Sequence, residues 1–185
     1  MRNLIALILL FTGFEVTLSQ STTRSVGCKM DSFVKIGQKY YFIRKETRKT
    51  NWFNAQNECL TMGGHLASIE SAEEMEALSK YLMAKGYTKN DWFWVAGNDL
   101  GNNREFKSIA TGKHLPYFNW SDKQPDNKGG TEHCIHLWLR DDEFSMNDWA
   151  CTQKAHAICE KPYKCDCFLN TGGETIIDVR FTENN

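Results

Sequence analysis

Two short stretches hold most of the side chains capable of chemistry. Residues 123–134, KQPDNKGGTEHC, set an amide, a proline, a carboxylate, two glycines and a second carboxylate ahead of a cysteine; residues 146–151, MNDWAC, put an Asn-Asp pair ahead of the next one. Pro, Asp, Asn and Gly are also turn formers, so either stretch alone reads as an ordinary loop. Between them, His133-Cys134-Ile135-His136 offers zinc-ligand types, and Asp141, Asp142 and Glu143 cluster three carboxylates. Catalysis would need a nucleophile beside a base, or two carboxylates with opposed roles. No nucleophile motif is present and the acidic trio reads as a solvated turn, so the chain is not expected to be an enzyme.

The elements that must position these residues follow from pattern. The chain has 185 residues, enough for one domain with a real core. A net charge of −1 gives none of the basic footprint of a nucleic-acid binder. Residues 1–20 place one positive charge before an apolar run of about 11 residues, then small residues at Thr17 and Ser19. This is the layout of a secretory signal peptide and falls short of the roughly 20 residues of a membrane span. In a secreted protein the seven cysteines are disulfide candidates first, and an odd number leaves at least one unpaired within the chain.

Residues 33–44 are aromatic and β-branched enough for one or two strands. Trp52, Ala55, Cys59 and Met62 recur at helical spacing before Gly63-Gly64 stops the run. A second helix follows, with Ser71 and Glu74 as a capping box, Met75, Leu78 and Leu82 on one face, and Gly86 as terminator. WFWVAG, HCIHLWLR and AHAICE read as strands, which makes the class α+β with two early helices and a later sheet. The segment 96–133 is long and irregular, a length that compact domains keep for function.

In this order and spacing, the helix carrying Cys59, WVAG (94–97), FNWSDKQPD (118–126), EHC (132–134), MNDWAC and AICE (157–160) resemble the C-type lectin-like domain, and small secreted arthropod lectins among its members. The resemblance covers 33–160. It leaves 1–20 as signal peptide, 21–32 as a leader with Cys28, and 161–185 as a tail with Cys165 and Cys167. It implies a disulfide-stapled α+β fold with antiparallel sheets and a long calcium-binding loop. By the same resemblance Cys59 pairs with Cys159 and Cys134 with Cys151, worth about 4.7 and about 3 kcal/mol in the chain-entropy model. The second bridge is expected to clamp the loop where sheet hydrogen bonds cannot. With Cys134 so engaged, His133 and His136 become surface or strand histidines. Cys28 is expected to join one of the two tail cysteines, and the remaining thiol either stays free or links two chains into a homo-oligomer.

Matched onto the family's calcium site, Gln124, Asp126, Glu132, Asn147 and Asp148 are the ligands of Ca²⁺ and the residues that hold the sugar. All five are oxygen donors of the kind a hard cation selects, and the family adds the backbone carbonyl of Asp148. Two vicinal sugar hydroxyls then bind the metal while exchanging hydrogen bonds with the same side chains. Gln-Pro-Asp around a cis Pro125 resembles the galactose-type order. Glu132 follows Gln124 by only eight positions, and Asn127 and Lys128 stand where galactose-type members carry a stacking ring. A monosaccharide affinity near millimolar, about −4 kcal/mol, is therefore expected, with avidity from several sites or clustered glycans. The auxiliary site matches Asp99, Asn103, Asn127 and His133 with a single carboxylate, so it is expected to be absent. Met146, where the family usually has tryptophan, reads as a core substitution. The expectation is a secreted, extracellular, calcium-dependent lectin for glycans with terminal galactose-type sugars, in recognition of microbial or self glycans, with no membrane span; the alternative is a calcium-independent lectin-like fold that binds a protein partner.

Overall fold

The computed structural model describes residues 26–30, 32–43, 48–161 and 165–169. β1 (Val26–Met30) and β11 (Cys165–Leu169) pair as a two-stranded sheet. The side chains of Cys28, Cys165 and Cys167 lie outside the described residues, and so do the expected signal peptide 1–20, part of the leader 21–32 and most of the tail. The unit Lys29–Asp166 carries everything that follows.

Its first helix, α1 (Trp52–Thr61), starts at Asn51, whose side chain accepts the Asn54 N–H at 2.9 Å. Trp52, Ala55 and Cys59 turn inward, as their spacing predicts. The turn beyond α1 brings Gly64 so close to the last strands that a Cβ there would lie 2.6 Å from the Glu160 carbonyl oxygen, so only glycine fits. α2 (Ala72–Ala84) buries Met75, Leu78 and Leu82. Its cap is half of the expected box: Ser71 Oγ accepts the Glu74 N–H at 3.2 Å, whereas Glu74 reaches back to the Glu70 N–H at 2.9 Å.

One sheet has the order β2 (Val34–Ile36), β3 (Lys39–Phe42), β10 (Cys159–Lys161), β4 (His65–Leu66). The other runs β6 (Lys107–Ser108), β5 (Phe93–Asn98), β7 (Cys134–Arg140), β8 (Glu143–Trp149), with β9 (His156–Ala157) parallel to β5. All other pairings within this unit's sheets are antiparallel. β8 was not legible as a strand, because its polar residues Ser145, Asn147 and Asp148 are buried and erase the apolar alternation. Asp141 and Asp142, with φ of 47° and 64°, form the exposed two-residue turn between β7 and β8, the left-handed pair that a tight hairpin requires.

Both expected bridges are present, with Cα–Cα distances of 5.3 Å for Cys59–Cys159 and 5.2 Å for Cys134–Cys151. The second differs in role from the expectation. Cys134 opens β7, directly paired with Trp149 of β8, so the bridge secures the end of a hydrogen-bonded hairpin instead of replacing one. Met146 is buried in the main core with Phe93, Ile135 and Leu137.

Lys39 gathers three carboxylates, with Nζ 3.0 Å from Glu70, 3.0 Å from Glu74 and 3.2 Å from Glu160. The Glu160 contact is ionic, without an aligned hydrogen bond. Burial opposes the Lys39 charge, but the surrounding carboxylates outweigh it and raise its pKa. Burial also pushes the Glu160 carboxyl above its ordinary 4.5, against the pull of Lys39. Lys39→Met is expected to cost about 3 kcal/mol at pH 7 by stranding those carboxylates. A raised folded-state pKa means that the stability tied to Glu160 is complete below about 4.5 and lost as pH rises through the raised value. The penalty should therefore shrink at pH 4.5. Urea unfolding at both pH values reads it, and an equal penalty at both would refute this account.

Candidate functional site

The loop that follows Trp120 is built from residues able to turn sharply. Lys123 and Asn127 have φ of 61° and 46°, the Gln124–Pro125 peptide is cis, and Gly129 and Gly130 have φ of 69° and 72° around the short 3-10 turn Lys128–Gly130. Glycine takes that left-handed region without steric cost, which is what the Gly-Gly pair supplies here. Asn127 staples the turn: its Oδ1 accepts the Glu132 N–H at 3.1 Å, and its own N–H reaches Asp148 Oδ2 at 2.8 Å.

Asp148 arrives from β8, fully buried, and ties strand to loop. Its Oδ1 accepts the Asp126 N–H at 3.0 Å, and its Oδ2 accepts from Asn127 and from Arg104 Nη1 at 2.9 Å. These bonds bring carboxylate oxygens of Asp126, Glu132 and Asp148 within 4.8 Å of one another. Gln124 stands beside them with Oε1 accepting the Asp126 N–H at 3.1 Å, and Glu132 Oε2 accepts from the Lys128 N–H at 3.2 Å. Burial raises the Glu132 pKa, and the neighbouring Asp126 and Asp148 carboxylates push the same way. Arg104 meets one of these carboxylates, and together they are placed as a divalent cation would need them.

Asn147 is placed differently from the other four. It is opposite His136 in the β7–β8 register, its Nδ2 2.9 Å from His136 Nε2 and 2.6 Å from the Asp148 carbonyl oxygen. Among the described residues its buried Oδ1 has no hydrogen-bond partner, which makes it an acceptor suited to a cation. Burial pushes the His136 pKa down to about 3, so the ring is neutral and its Nε2 accepts from Asn147. Trp92, Trp94, Trp138 and Trp149 surround that ring, so it is a packed strand residue and His133-Cys134-Ile135-His136 is no zinc site.

The four auxiliary positions are bonded among themselves. Asp99 Oδ1 lies 2.8 Å from His133 Nδ1, and Asn103 Oδ1 accepts from Asn127 Nδ2 at 3.4 Å. Three participants were missed from sequence: Arg104, Asn127 as a staple, and His136. The last was recoverable, since a two-residue turn at Asp141-Asp142 sets the register that puts His136 opposite Asn147. Arg104 has no such signal, because it lies in irregular chain far from its partners in sequence.

All donors in the cluster are oxygens, of mixed charge and at several depths, which suits a hard divalent ion of flexible coordination such as calcium. Comparison with known proteins places the fold in a family. The family profile described as Lectin C-type domain matches residues 48–161. C-type lectin 37Db of Drosophila melanogaster is 42% identical over 127 residues, 69% of this chain and 80% of that one. Among solved structures, the mouse scavenger receptor C-type lectin carbohydrate-recognition domain superposes with a TM-score of 0.59 at 26% identity, covering 70% of this chain and 92% of that domain. A herring type II antifreeze protein superposes at 0.60 with 26% identity, covering 72% and 98%.

Proposed function

This chain belongs to the C-type lectin family, and from that premise we propose that it binds carbohydrate through a calcium ion held by Gln124, Asp126, Glu132, Asn147 and Asp148, with a leaning to galactose-type sugars. The observation that carries the reading is the convergence of the Asp126, Glu132 and Asp148 carboxylates; Asn147, next to Asp148 in β8, adds a buried oxygen that has no hydrogen-bond partner among the described residues. When bound, the ion supplies open coordination positions for sugar hydroxyls. The chain's own residues do the selecting. Gln124 offers an amide and Asp126 a carboxylate, so one hydroxyl meets a donor and the other an acceptor, in that order along the loop.

Binding without chemistry on the sugar fits a site in which the Glu132 and Asp148 carboxylates accept loop amide N–H groups. Secretion fits the signal-peptide layout of residues 1–20 and a disulfide-stapled core, and among the described residues no helix is long and apolar enough to cross a membrane. The division into leader 21–32, lectin domain 33–160 and tail 161–185 is part of the same reading. So is a cysteine left over from Cys28, Cys165 and Cys167 that would join two copies and raise avidity for clustered glycans.

The test is retention of the oxidised protein on immobilised galactose and, separately, mannose, in calcium and then in chelator. Retention on galactose that chelator releases is the expected result. Mannose winning would show that the Gln124-Pro125-Asp126 order does not set preference in so short a loop. Absence of retention on both, at high ligand density, would favour a protein partner instead.

A further inference from the structure

Arg104 is held at both ends. Its backbone sits at φ 66°, a left-handed conformation that is uncommon for a non-glycine residue, and its N–H donates to Asp99 Oδ2 at 2.7 Å. Asp99 is itself buried and fixed, its other carboxylate oxygen on the His133 ring and its N–H on the His133 carbonyl at 3.0 Å. From this anchor the guanidinium forks, Nη1 to Asp148 Oδ2 at 2.9 Å and Nη2 to the Pro125 carbonyl oxygen. One planar cation thus spans a strand carboxylate and the loop backbone, a geometry that an ammonium cannot copy. The carboxylates of Asp126, Glu132 and Asp148 total −3, and the +1 of Arg104 leaves −2, the complement of one divalent ion.

We propose that Arg104 is a positioning residue, a built-in counter-cation that holds Asp148 and the Pro125 segment in their binding arrangement in the metal-free protein. This rests on the calcium reading for its purpose but not for its test. Without the guanidinium, Asp148 Oδ2 would keep only the Asn127 N–H, three converging carboxylates would repel one another unopposed, and the loop would open.

The reporters are the Asp126 and Asn127 amides, which donate to Asp148, read by hydrogen exchange in chelator. Wild type should protect both. Arg104→Met, which keeps the apolar stem without the charge, should speed their exchange at least about tenfold, while the Ile135 and Leu137 amides of β7 stay unchanged and show that the fold is retained. Arg104→Lys should restore part of the protection, since it returns the charge but not the fork. Met protecting as well as Arg would mean that the stem acts by packing, and unprotected wild-type amides would mean that the loop is not pre-formed; either overturns the proposal. Failure of the calcium reading is separate: it would show as no heat when wild type is titrated with calcium, at unchanged amide protection, and would leave the positioning role standing.

Discussion

Asp148→Asn is expected to lower calcium affinity at least about a hundredfold and to abolish retention on the sugar column, without unfolding the domain. The substitution keeps the side-chain shape but removes one of three clustered charges and puts an amide NH₂ against groups that already donate. In the native site Asp148 accepts from Asp126, Asn127 and Arg104, all within 3.0 Å. Whichever way the new amide turns, its NH₂ faces at least one of those donors. Losing a charge-assisted contact while leaving donors unmatched costs about 3 kcal/mol, which is about a hundredfold in a binding constant. Calorimetric titration with calcium reads the first effect and chelator-sensitive retention the second. An Asp148→Asn protein that binds calcium within threefold of wild type would remove Asp148 from the site. The domain should survive because the neighbouring β8 residues Phe144 and Met146 carry the core packing.

The paired replacement Cys59→Ala with Cys159→Ala is expected to destabilise the domain strongly, and more than loss of the second bridge. The bridge spans 100 residues of chain between α1 and β10, and cross-linking so long a loop removes unfolded-state entropy worth about 4.7 kcal/mol. The paired Cys134→Ser and Cys151→Ser change removes a bridge that closes only 17 residues, worth about 3 kcal/mol on the same scale, at the end of a hairpin that is already fully paired. A midpoint lowered by roughly 10 °C or more is expected for the first pair and clearly less for the second, by thermal unfolding at matched protein concentration. The reverse order would show that the bridge acts on the folded loop more than on the unfolded chain.

Much of this was legible in the sequence, for reasons that differ by residue. Helix α1 and helix α2 declare themselves by apolar spacing and glycine beyond each end, and α2 also by its Ser71 cap, all local features. β7 is legible because its apolar run is continuous. β8 is not, because Ser145, Asn147 and Asp148 are polar and buried: Ser145 bonds Ser121, Asn147 meets His136, and Asp148 binds the loop. A strand whose buried positions serve other segments carries no hydropathy pattern of its own.

The site divides along the same line. The types of the five donor residues and the Gln-Pro-Asp order are properties of the chain, readable in one dimension, and the pairing of Cys59 with Cys159 and of Cys134 with Cys151 is what the family resemblance implies. What the tertiary structure alone decided is which charges meet. Arg104 reaches Asp148 across 44 positions and Pro125 across 21, and Lys39 reaches Glu74 across 35. Such pairings are set by the packing of α2, the β7–β8 hairpin and the irregular loops between them. The hydrophobic core, insensitive to the polar residues it carries at its edge, places them, and only then does each buried charge find its counter-ion.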